Sequence, residues 1–118
     1  MMPCPLDPKV MVVFVDPIEL GPTRLDHSHA FAVFGESVDE PFIVVDKRLL
    51  ELDWFTEDHL MVILAHELAH ILCRSENEKL ADRIGMMLLR RAGLASAFEL
   101  HRLEYENRLA AGHYKQAA

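Results

Sequence analysis

The sequence predicts an α+β domain, a small three-stranded sheet followed by three helices. Three observations carry that expectation. Short β-branched runs crowd the first half of the chain, and capped apolar segments without strand-like alternation fill the second. The length, 118 residues, suits one domain and is too short for two of ordinary size. Residues 1–118 are therefore expected to form a single unit, with 1–46 mainly strands and loops and 56–112 helical.

The first strand is expected at residues 9–15 (KVMVVFV), stopped by Asp16-Pro17. Residues 16–26 hold two prolines and Gly21 and read as loop. A second strand is expected at 30–34 (AFAVF), ended by Gly35, and a third at 42–45 (FIVV). Pro41 stands at the entrance of the third, where a missing N–H does least harm. Thr56 followed by Glu57 and Asp58 is a capped, acid-first helix start, and that helix should run to about Cys73. Ser75 or Asn77 can cap the next, which reaches Ala92 with Gly93 just beyond. A last helix is expected at 95–111, ending at Gly112.

Twelve Lys and Arg against nineteen Asp and Glu leave a net charge of −7, which argues against nucleic acid or an anionic membrane as the main partner. No apolar run approaches the ~20 residues that span a bilayer. The opening residues lack the basic start and apolar centre of a signal peptide, so a cytoplasmic location is expected. Cys4 and Cys73 form no metal-type or redox-type pair and are expected to be free thiols.

The chemistry lies in His66-Glu67-Leu68-Ala69-His70, an HExxH string inside the first expected helix. Residues four apart share a helical face, so both imidazoles can address one zinc ion, while Glu67 reaches a water beside it. Leu60, Met61, Ile63, Leu64, Ala65, Leu68, Ala69, Ile71 and Leu72 make this helix apolar on nearly every side. A buried Glu67 and two histidines need compensation, from a hydrogen-bond network or from a metal. On the next helix Glu78 and Asp82 share a face that Gly85 continues one turn later. A mid-helix glycine costs about 1 kcal/mol relative to alanine, which a close approach of two helices would explain. Glu78 is then the expected third ligand, leaving a position for water, and Asp82 the acceptor for the free ring N–H of His66. A solvated acidic first turn with Ser75-to-Glu78 capping-box spacing is the plain alternative.

Residues 78–85 (EKLADRIG) with 88–93 (LLRRAG) resemble the ExxAD-x-x-G…AG segment of the gluzincin family that includes the HtpX heat-shock protease and the type I CAAX prenyl protease. Ala30-Phe31-Ala32 and residues 43–50 (IVVDKRLL) are similar to that family's N-A-F strand and its following segment. The resemblance implies a zincin-like fold and a zinc endopeptidase, with one ion on the HExxH histidines and the first Glu of ExxAD. It also implies a peptide or protein substrate added as a β-strand beside the strand that precedes the active-site helix. The chain departs from the family at His29, which stands where asparagine precedes Ala-Phe, and in lacking spanning segments. Only seven residues separate His70 from Glu78. Such economy resembles the minigluzincins, some of which are latent zymogens, and demands one tight turn between two helices.

The expected function is thus peptide-bond hydrolysis with Glu67 as general base. The competing reading is a zinc-binding regulatory or latent domain on the same fold, and a helical packing domain without metal is a third. His101 and Tyr105, four apart on the last helix, are candidates for oxyanion or substrate contact, and His113 and Tyr114 are others. All four also suit ordinary packing. His27 and His29 could form a surface clip, His59 lies two turns before His66, and Cys73 is expected as a small core residue. Cys4, between prolines, could reach over the site.

Overall fold

A computed structural model describes residues 1–15 and 29–114. The loop expected at 16–26 and the side chain of His27 lie outside the described residues. The elements run β1 (Met2–Cys4), β2 (Asp7–Val15), β3 (Ala30–Val33), β4 (Phe42–Asp46), a 3₁₀ turn (Lys47–Glu51), α1 (Glu57–Cys73), α2 (Glu78–Arg91) and α3 (Ala95–Ala110). The α+β class holds, but among the described residues the sheet has four strands rather than three, in the order β1-β2-β4-β3.

Hydrophobic burial decides that order. Ile43, Val44, Val45 and Asp46 of β4 are all buried, as a strand covered on both faces requires. β4 pairs in parallel with β2, Val12 against Ile43, and antiparallel with β3, Phe31 against Val44. β3 is therefore an edge, and each of its residues is only half-buried. The added strand β1 pairs antiparallel with β2, Met2 opposite Val12. It brings Cys4 fully into the core, away from any role over the site.

One face of the sheet meets α1. Cys4, Val12, Ile43, Val45, Leu64, Leu68 and Ile71 form one buried cluster. On the far side of α1, Val62 and Ala65 pack with Leu89 of α2 and Ala97 of α3. The helix boundaries follow local chemistry. Thr56 Oγ1 accepts from the His59 N–H at the start of α1. Arg74, in the left-handed region at φ 48°, ends it. Asn77, one of the two expected caps, receives the Leu80 N–H and starts α2. Ser75 lies in the turn, where its hydroxyl accepts from the Asn77 N–H, so the Ser75-to-Glu78 capping box does not form. Cys73 is exposed, a correction to its expected place in the core, because in the last turn of α1 it is Ile71 that faces the core while Leu72 and Cys73 fall on the solvent side. No helix of the described residues is long and apolar enough to cross a membrane.

Candidate metal centre

The tight turn after Cys73 folds α2 back along α1 and sets two polar stripes face to face. Gly85 makes the approach possible. A Cβ there would stand 3.0 Å from His101 Nε2 and 3.3 Å from the backbone of Ala65 and His66. The expected close approach is thus present, with α3 contributing its third wall through His101.

His66, His70 and Glu78 offer three ligand atoms within 4.8 Å of one another. Glu78 Oε1 lies 2.7 Å from His70 Nε2 and 3.3 Å from His66 Nε2, and the two Nε2 atoms are 3.2 Å apart. Behind them, each Nδ1 is occupied. His70 Nδ1 is 2.6 Å from the Ser75 carbonyl oxygen, which only accepts, so this nitrogen carries the proton. His66 Nδ1 is 2.6 Å from Asp82 Oδ1. With their Nδ1 atoms engaged outward, both histidines turn Nε2 inward, toward each other and the Glu78 carboxylate. Nitrogens so placed can carry protons donated to Glu78 or, deprotonated, face a shared cation.

The electrostatics agree. Burial opposes a charge on His66, but its hydrogen bonds to Asp82 and Glu78 outweigh that and lift its pKa to about 10. Burial likewise opposes a charge on His70, and the Glu78 and Ser75 hydrogen bonds raise it. Hydrogen bonds from His66 and His70 hold Glu78 far below the usual carboxylate range. Burial tends to raise Asp82, but the His66 and Tyr114 hydrogen bonds pull it below its ordinary value. The cluster asks for positive charge, which protons or a metal ion can supply.

Glu67 is set apart from this trio. Burial lifts its carboxyl to about 7, against the pull of the two imidazoles and of the Ala32 backbone N–H that reaches it from β3. The Asp46 N–H donates to the His29 carbonyl at 2.8 Å, and alternation along an antiparallel edge then turns the Ala30 and Ala32 backbone groups outward, on the cleft side.

Of the other residues singled out in the sequence, His101 is fully buried, and neither ring nitrogen has a hydrogen-bond partner among the described residues. Its Nε2 is 3.8 Å from Asp82 Oδ1, and burial pushes its pKa down to about 4, so it is neutral. Tyr105 packs its ring against Tyr114, centroids 5.9 Å apart. Tyr114 donates its hydroxyl to Asp82, and His113, His59 and His29 line the cleft. Two contributions escaped sequence reasoning. Arg108 Nη1 holds Asp82 Oδ2 at 3.0 Å, and only its seven-residue spacing from His101 hinted at a shared face. Trp54 and Phe55 form part of the cleft wall, signalled only by two adjacent aromatics before a helix cap. The whole cleft holds about 370 Å³.

An α+β fold carrying a His–His–Glu group beside a buried carboxyl defines the class, a protein with a candidate metal site in an open cleft. The particular family follows from comparison. A family model described as peptidase family M48 matches residues 21–102, and the chain belongs to that family, one of gluzincin zinc metallopeptidases that includes the relatives its motifs resemble. No curated protein and no solved structure matches the chain.

Proposed function

We propose that the chain is a single-domain zinc endopeptidase with a zincin-like arrangement of helices, whose ion is held by His66, His70 and Glu78. The supporting observation is the pair of imidazoles whose Nδ1 atoms are committed outward while both Nε2 atoms face one carboxylate. That donor set and count suit catalytic rather than structural zinc. Asp82 orients His66, and the Ser75 carbonyl orients His70.

Bound zinc supplies a Lewis acid and brings the acidity of a water towards neutral pH. Glu67, with a carboxyl lifted to about 7, is matched to accept a proton from the attacking water and return it to the leaving amine. The substrate is proposed to lie as an added strand along the β3 edge, where Ala30 lines the cleft and the Ala32 N–H reaches Glu67. Of the two oxyanion candidates on α3, His101 stands at the cleft wall but is fully buried there, and the Tyr105 ring packs on Tyr114.

Glu67→Gln tests the reading. With zinc content unchanged, turnover on casein and on a mixed-peptide library should fall about 10²–10⁴-fold, the usual contribution of a general base. Equal slow cleavage by parent and variant would remove the enzyme from the proposal. One observation favours the second reading, a latent or regulatory zinc domain. Tyr114 and His113, beyond α3, reach Asp82 and the cleft. Ending the chain at Gly112 should raise turnover if this segment restrains the site, and leave it unchanged otherwise.

A further inference from the structure

The cleft continues well beyond the metal trio. Along α1, His59, Val62, Ile63 and His66 form one stripe of its lining, and Leu49, Trp54 and Phe55 complete the end farthest from Glu78. Trp54 is 60% exposed there. Leaving so large an apolar surface in water is unfavourable, and it is not loosely held. Trp54 meets Phe55 edge-on at 5.9 Å and His59 edge-on at 5.4 Å, and Phe55 lies 5.7 Å from His59. The His59 ring is itself fixed, since its Nδ1 receives the Thr56 N–H at 3.1 Å in the capping box of α1. The result is a rigid aromatic shelf, which loses little side-chain entropy when something docks on it.

We propose that this shelf is a specificity subsite for a bulky apolar side chain, aromatic or leucine-like, of the peptide cleaved at the adjoining metal centre. The proposal rests on the peptidase reading and adds the class of substrate. Seven residues of helix separate His59 from His66, about 10 Å at 1.5 Å per residue. An extended peptide advances about 3.4 Å per residue, so the selected side chain lies some three residues from the scissile bond. Glu51 and Asp53 just before Trp54, and Glu57 and Asp58 in the first turn of α1, flank the shelf in sequence. Those carboxylates disfavour an anionic lipid surface as the occupant and favour peptides without acidic residues beside the apolar one.

Trp54 is the sole tryptophan, so its fluorescence reports the shelf alone. A peptide series in which one phenylalanine is walked along an alanine-rich, lysine-containing background should be cleaved by the zinc-loaded chain with at least a tenfold preference for one position. Trp54→Ala should reduce that preference towards unity, while Trp54→Phe should retain it. In zinc-loaded Glu67→Gln, the preferred peptide should shift Trp54 emission to the blue and saturate, and the alanine peptide should not. Cleavage without positional preference, or preference that survives Trp54→Ala, would overturn the subsite. If nothing is cleaved yet emission still saturates with the phenylalanine peptide, the peptidase reading fails and the shelf stands as a peptide-docking site. If emission and selectivity are both unresponsive, the shelf is not a subsite.

Discussion

The two sides of α1 are held by different physics. Towards the sheet, Leu64 and Leu68 pack against Val12, Ile43 and Val45, and every group is satisfied by its neighbours. Towards α2 and α3, His66, Glu67, His70, Glu78, Asp82 and His101 crowd into the same helix–helix space that elsewhere takes Leu89 and Ala97. The first side is complete as it stands. The second sets two imidazole nitrogens against one carboxylate and, among the described residues, leaves a buried histidine without a partner. One side specifies the fold, and the other gathers groups whose charge protons or a metal ion can balance.

The sharpest contrast comes from breaking each side in turn. Leu68→Ala removes a fully buried side chain from the sheet side and should cost about 2–5 kcal/mol, with the loss unchanged by zinc. Chemical denaturation with and without zinc measures it. Recovery of the lost stability on adding zinc would mean that the two sides are not independent.

Zinc should act on the other side alone. At a thousandfold excess over its dissociation constant, an ion that binds only the folded state stabilises by about 4 kcal/mol. Parent protein should show that gain, and Glu78→Ala should lose most of it while folding normally without metal, because Glu78 is exposed at the cleft mouth. Metal content of the purified chains gives a second readout. Equal zinc in parent and Glu78→Ala would show that the carboxylate is not a ligand.

The same division governs what was legible in the sequence. The sheet-side apolar runs and the Thr56 cap announce β2, β4 and α1 within a residue or two, because local propensity and burial agree there. β1 was not legible. Three residues that include a proline carry no strand signal, and only pairing with β2 makes them one. The 3₁₀ turn at Lys47–Glu51 depends on Asp46, whose carboxylate accepts from the Arg48 N–H at 2.9 Å. On the polar side, spacing put His66 with His70 and Glu78 with Asp82, since one helix fixes each pair. Arg108 on Asp82 and the Trp54 shelf arise from contacts between elements, which no single periodicity encodes.

The smallest effect separates two buried groups on the polar side, His101 and Glu67, in zinc-free protein. His101 has a folded pKa of about 4 against an ordinary value near 6.5, so the unfolded chain takes up its proton first as pH falls. Its contribution is fully present above pH 6.5 and is lost on acidification to 4, about 3 kcal/mol for a group this deeply buried. Glu67 runs the other way. Its folded pKa of about 7 exceeds its ordinary value near 4.5, so the native state binds the proton first and gains stability over almost the same window. The Glu78 and Asp82 carboxylates lose their pairing only below the ordinary carboxylate range, beneath most of this window. The two opposing slopes should nearly cancel, leaving the parent flat between pH 6.5 and 4.5. Glu67→Gln removes one slope and should become markedly less stable with acid, and adding His101→Phe should flatten the curve again. Parallel curves for Glu67→Gln with and without the second substitution would show that His101 is not held neutral by its burial.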